Sequence, residues 1–458
     1  MSKRHEWSST LTYLLTTAGA TIGFGATWRF PYLVGENGGG AYVLVFILAM
    51  LLIGIPMILV ENVIGRRAHK NSLDAFSPHY QKKDFSKAWK IVGIMGLIGC
   101  FGIIAYYMVL GGWVLTYISS IIQGILPLNH TLSAQETREF YIQNIEYNPL
   151  MVSVYTLVFV LLNYIVLRKG VSDGIEKAMK FLMPLLILCL IAIVIRNLTL
   201  PGAKEGVLFY LTPNFSKINS KLFIDVLGQV FFALSLGFGV MITLSSYLSK
   251  SENLIKTAVG TGVLNTIIAL LAGFMIFPSL FSFGLERDSG PKLIFEVLPI
   301  VFSSMQFGSI LAVSFFTLLI IAAFTTSITL YEVLISVLSE KLRLKREWAV
   351  FWVLTFTFIA GNIPSILAYG PLREVLIFGK NIFNAFDVIS GNIFFVLTAL
   401  GASIFVGWVL NKDAKIELLE GTNNKILVEI WFYYVKYIIP IVIAIIFING
   451  VKSSFFDT

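Results

Sequence analysis

The chain of 458 residues is 57% hydrophobic and only 13% charged, against roughly 25% charged in an average soluble domain, which excludes a soluble enzyme. Its formal charge of +8 accompanies a mean hydropathy of +0.82. That pairing excludes a disordered chain and ties the basic residues to membrane topology, with no nucleic-acid partner expected.

A bilayer core of about 30 Å takes about 20 apolar residues as a helix. Eleven such runs follow one another, at about 9–34, 41–63, 89–122, 150–167, 177–197, 222–247, 254–283, 307–337, 347–366, 379–410 and 428–449. The polar start Met1 to Ser9 with a long apolar run behind it is not the pattern of a cleaved leader, so the first run is expected to stay in the membrane. The segment 289–304 is apolar but short and carries Pro291 and Pro299. It reads as a re-entrant or capping loop. Counted over alternate loops, Lys and Arg divide 22 to 10, and the basic side of a membrane protein is the cytoplasmic one. The N-terminus is therefore expected in the cytoplasm and, with an odd number of spans, the C-terminus outside the plasma (inner) membrane, extracellular or periplasmic. Cys100 and Cys189 lie in apolar runs and the four histidines are scattered, so neither a disulfide framework nor a zinc site is available.

Gly23-Phe24-Gly25 interrupts the first run, and Gly237-Phe238-Gly239 interrupts the sixth. Paired glycines in mid-span weaken a helix, and one break per five-helix half is the pattern of inverted-repeat transporters with discontinuous helices. Glycine also serves close helix packing. Broken helices free N–H groups for an anion and carbonyls for a small cation; Thr325-Thr326-Ser327 on the eighth run offers hydroxyls for the cation, or glue between helices. Ionisable groups inside spans each need an account. Glu61 suits the free amides of an unwound segment, or reaches for the interface. Arg29 and Asp387, both toward the outer side, suit an ion-pair gate, or anchor to the interface. Glu332, midway along the eighth run, has no partner assignable from sequence.

The run Ala18-Gly19-Ala20-Thr21-Ile22-Gly23-Phe24-Gly25-Ala26-Thr27-Trp28-Arg29-Phe30-Pro31, followed by Glu36-Asn37-Gly38-Gly39-Gly40-Ala41, resembles the first-helix signature of the neurotransmitter:sodium symporter family. Gly54-Ile55-Pro56, Gly65-Arg66, Tyr106-Tyr107, the stretch from Gly228-Gln229 to Gly239, Asn265 and Thr325-Thr326-Ser327 follow in family order. The length is similar to that of short prokaryotic members such as the bacterial leucine transporter.

The resemblance implies an all-α integral membrane fold of eleven helices. Five plus five form an inverted repeat (about 8–200 and 220–411) with discontinuous helices 1 and 6, and an extra helix lies at about 428–449. It implies a substrate pocket lined by Ala20, Thr21, Gly23, Phe24, Gly25, Ile103, Tyr107, Phe232, Ala233, Ser235, Phe238, Thr326 and Leu330. Glycine at 23, where amine-transporting members place aspartate, implies an amino acid as substrate, and the apolar lining a neutral, apolar one. The family's second sodium site is matched by the carbonyls of Gly19, Ile22 and Ala322 and the hydroxyls of Thr325 and Thr326. Its first site is not: Ala26 and Ala233 stand where side-chain ligands are usual, and the neighbouring chloride or carboxylate site has Phe46 and Ala269, with Gln229 retained. Methyl groups hold no ion, so one Na+ is expected, with the first sodium and chloride sites lost. The gates implied are Arg29 with Asp387 outside, under a lid of Tyr107 and Phe238, and Arg4, Trp7, Ser246, Tyr247 and Glu340 inside. The function implied is sodium symport by alternating access. Transport of a different small solute, or binding without transport, remain alternatives.

Overall fold

The computed structural model describes residues 6–285, 293–422 and 424–455. Among these, nine helices are long and apolar enough to cross a membrane. In lipid each backbone polar group must be satisfied within its own segment, which leaves the helix as the form these runs can take. In chain order α1 covers 10–36 with an interruption; α2 is Gly40–Ala68, α3 Lys87–Ile122, α4 Pro149–Leu167 and α5 Val171–Leu198. Next, α6 is a broken pair, Ser220–Ala233 and Val240–Ser245. The series ends with α7 Leu254–Ser282, α8 Gly308–Leu342, α9 Arg346–Leu367, α10 Ile382–Leu410 and α11 Lys425–Phe455.

The two interruptions fall on the glycine tripeptides. In α1 the backbone leaves helical geometry at Gly23 (φ −21°, ψ −153°), and the next turn, Gly25–Arg29, is a wide π-type one. In α6 residues 234–239 form a non-helical link in which Gly237 takes φ +79°. A Cβ there would also stand 2.2 Å from the carbonyl oxygen of Phe395, so this position tolerates no side chain. Buried Glu61 of α2 accepts the freed Gly237 N–H (2.6 Å), the first of the two uses the sequence left open for it. Ser235 Oγ donates to the Ala20 carbonyl (2.9 Å), joining the two breaks directly.

The break of α1 lies against α8. A Cβ on Gly19 would stand 3.2 Å from Thr325 Cβ and 2.8 Å from Met179 Sδ of α5; the missing side chain lets three backbones converge there. In the expected capping segment, Leu293–Val297 and Leu298–Ser303 form short helical turns, with Pro299 in the first turn of the second. Pro291 lies outside the described residues. Phe295 from this segment packs on Trp28 (6.1 Å between centroids), Trp113 (5.7 Å) and Tyr117 (5.3 Å).

Candidate functional site

Two amide groups are freed where α1 breaks. Gly23 N–H donates to Thr326 Oγ1 (3.0 Å) and Phe24 N–H to Tyr107 Oη (3.2 Å). Thr326 in turn donates to the Gly19 carbonyl (2.9 Å), and Thr325 Oγ1 to the Ala322 carbonyl (3.0 Å). Of the oxygens expected at the second sodium site, Thr326 Oγ1 and the Gly19 carbonyl meet across the α1–α8 contact, while Thr325 and Ala322 pair within α8; these residues and Ile22 are all buried. The oxygens are neutral and hard, a donor set that fits a monovalent cation.

Eleven of the thirteen expected pocket residues line a single small cavity: Ala20, Thr21, Gly23, Gly25, Ile103, Tyr107, Phe232, Ser235, Phe238, Thr326 and Leu330. Phe24 instead faces Tyr107 (4.9 Å), and Ala233 contributes its carbonyl to Asn265. The cavity measures about 10 Å³, room for about one water, so an amino acid enters only if side chains turn. A larger cavity of about 310 Å³ lies beyond it on the side of the loops expected outside, lined by Trp28, Tyr32, Trp113, Tyr141, Phe295, Tyr369 and Phe383 with Arg138, Glu146 and Glu296. Sequence reasoning missed this vestibule because its walls come from separate spans and loops with no shared motif.

The expected outer gate is not closed. Arg29 and Asp387 line the same vestibule, but no salt bridge joins them; the Arg29 guanidinium lies 4.6 Å over the Phe232 ring. The expected lid is also differently paired. Tyr107 packs on Phe24, while Phe238 stacks on Phe395 at 3.5 Å, held there by the α6 link.

On the opposite side the latch is engaged. Trp7 Nε1 donates to the Leu244 carbonyl (2.9 Å), its backbone N–H to the Tyr247 carbonyl (3.3 Å), and its ring meets Tyr247 edge-on at 6.0 Å. Ser246 turns its hydroxyl onto the Thr243 carbonyl (2.5 Å). Glu340 accepts from Asn71 (2.9 Å) and Lys70 (3.4 Å); Arg4, expected opposite it, lies outside the described residues. Glu332, which had no assignable partner, has three donor contacts: Arg346 Nη2 (2.5 Å), Arg346 Nη1 (3.1 Å) and Tyr247 Oη (2.9 Å). Its partner was hidden because Arg346 counts, in sequence, as one more basic residue of a loop.

A model of the sodium:neurotransmitter symporter family matches residues 4–153 and 142–455. The chain is 60% identical to a sodium-dependent transporter of Haemophilus influenzae over 98% of each protein, and 37% identical to the sodium-dependent transporter YhdH of Bacillus subtilis over 97% of each. Among solved structures it superposes on MhsT in complex with L-phenylalanine with a TM-score of 0.87 at 36% identity, covering 98% of this chain and all of that one. The chain belongs to the sodium:neurotransmitter symporter family and is a sodium-dependent membrane transporter, not an enzyme.

Proposed function

We propose that the protein imports a neutral, apolar amino acid together with one sodium ion by alternating access, with its N-terminus in the cytoplasm and its C-terminus outside. The observation that carries this reading is the broken turn of α1, where the Gly23 and Phe24 amides meet the hydroxyls of Thr326 and Tyr107. A substrate carboxylate is recognised there by displacing the hydroxyl oxygens as acceptors, and Tyr107 then donates to it. The half-helix dipole favours the negative charge. Apolar walls from Ile103, Phe232, Phe238 and Leu330 suit an apolar side chain, and the phenylalanine complex of MhsT supports the same substrate class. Thr326 is shared between the substrate pocket and the five-oxygen cation site, so filling one shapes the other. The vestibule supplies the approach, and the Trp7 latch keeps the opposite side shut meanwhile.

The test is uptake into proteoliposomes of labelled neutral amino acids, beginning with L-phenylalanine, driven by an inward sodium gradient. Uptake that collapses when the gradient is dissipated and is competed by other apolar amino acids is expected. Sodium-driven uptake of a solute without a carboxylate, and of no amino acid, would overturn the substrate class; ligand binding without counterflow would make this a binding protein.

A further inference from the structure

Beside Ala26 and Ala233, which stand where the family's first sodium site has side-chain ligands, two backbone carbonyls are bridged in this chain by a side chain. Asn265 of α7 donates from Nδ2 to the Thr21 carbonyl of α1 (2.9 Å) and to the Ala233 carbonyl at the end of the outer half of α6 (3.2 Å). Two carbonyl oxygens converging on one atom demand a donor or a cation, and an amide nitrogen supplies two N–H groups. Around them, Ala26 and Ala233 offer methyl groups and are buried. Beside them Gln229 spends its amide nitrogen on the Gly25 carbonyl (2.7 Å). The oxygens left over, Asn265 Oδ1 and Gln229 Oε1, are buried without a hydrogen-bond partner.

We infer that the Asn265 amide takes over the task of the first sodium ion, cross-linking the broken segments of α1 and α6 through their carbonyls, so that Asn265 is a positioning residue and no ion ligand. Rebuilding a cation site there would require Asn265 to turn its oxygen inward and leave both carbonyls to an ion with only three neutral ligands from the protein. A neutral donor needs no such reorganisation. The consequence is that the link between α1 and α6 is permanent, whereas an ion at that position would make it conditional on sodium. This inference rests on the one-sodium reading for its stoichiometry, but concerns a different residue and a different site.

The experiment counts sodium. Equilibrium binding of radioactive sodium to the purified full chain, with no substrate added, is measured for the parent, Asn265→Ala and Asn265→Asp. The alanine variant is expected to bind as many ions as the parent, while losing affinity for labelled L-phenylalanine. The aspartate variant, at alkaline pH, cannot donate and presents a carboxylate beside two carbonyls. It is expected to bind one ion more than the parent and to melt with a steeper sodium dependence. An alanine variant that binds one ion fewer than the parent overturns the inference, as does an aspartate variant whose sodium response matches the parent's. Should neither variant fold, two ions on the parent alone would overturn it. A parent that binds no sodium, with one ion appearing in Asn265→Asp, sinks the Thr325–Thr326 site while supporting the role of Asn265.

Discussion

Gly23 sits so close to its neighbours that an added Cβ would lie 2.2 Å from Tyr107 Oη and 2.5 Å from Thr326 Oγ1. Overpacking of this kind costs about 1–3 kcal/mol, and here the atoms displaced are those that hold the α1 amides. Gly23→Ala is expected to remain folded but to lose at least about tenfold in affinity for L-phenylalanine, since 1.4 kcal/mol is a factor of ten; unchanged affinity in a binding assay would show that the pocket lies elsewhere. At the proposed cation site, Thr325→Ala with Thr326→Val removes two of five oxygens. A ligand at a hundred times its dissociation constant stabilises the folded state by about 2.7 kcal/mol, and this sodium-dependent rise in Tm is expected to vanish in the double variant. All three residues stood out in the sequence, because a glycine or a hydroxyl at a fixed place in a long motif implies its role through the family resemblance. The small size of the cavity was not, because it depends on the rotamers of Phe232 and Phe238.

The ends of the helices are tied by charges that come together only on folding. Arg66, at the end of α2, is fully buried and bonds Glu417 of the short Lys412–Leu419 helix (2.7 Å), which Lys250 also reaches. Arg346 opens α9 and holds Glu332 of α8, whose side chain is 0% exposed. Removing one member of a buried pair costs about 3–5 kcal/mol, whereas replacing both can be neutral. Arg346→Met alone is expected to lower stability by that amount and to loosen Tyr247 and the Trp7 latch above it. Adding Glu332→Gln should recover most of the loss. Equal Tm values for the parent and the Arg346→Met variant would refute the pairing. In the loop between α2 and α3, burial would raise the Asp74 carboxyl, but the hydrogen bond and charge of Lys341 (2.6 Å), the charge of Lys90 and the Asn71 amide hold it below its usual value. A carboxylate depressed in the folded state stabilises it in full above the ordinary carboxylate range and loses that contribution as pH falls through the folded value. Asp74→Asn is therefore expected to cost about 1 kcal/mol near neutral pH, a figure kept small by the partial exposure of both lysines. Its Tm should converge with the parent's on acidification; a constant gap across the pH range would exclude Asp74 as the source.

Across the whole molecule, the Trp7 contacts are made on one side and a cavity of about 310 Å³ lies on the other, which on the proposed reading puts the two gates in opposite states. Reporter tags on both ends of the chain in intact cells are expected to find the N-terminus inside and the C-terminus outside, from the division of basic residues over the loops. Both tags on one side would remove the topology proposed here. Nine of the eleven expected spans are apolar helices of membrane length among the described residues, and they were legible from sequence because the length and hydropathy of a run depend on that run alone, and lipid leaves its backbone one way to satisfy itself. The breaks were legible for a similar reason: Gly23 and Gly237 carry their conformational freedom with them. Partners distant in the chain were not. That Glu332 meets Arg346 and Tyr247, that Asn265 bridges Thr21 and Ala233, and that Phe295 roofs the vestibule follow from which helix faces pack together. The gates differ most from expectation, because Arg29 over Phe232 and Phe238 on Phe395 are choices of side-chain rotamer. Such choices belong to one conformation of a molecule that must adopt several, and only the packed structure selects among them.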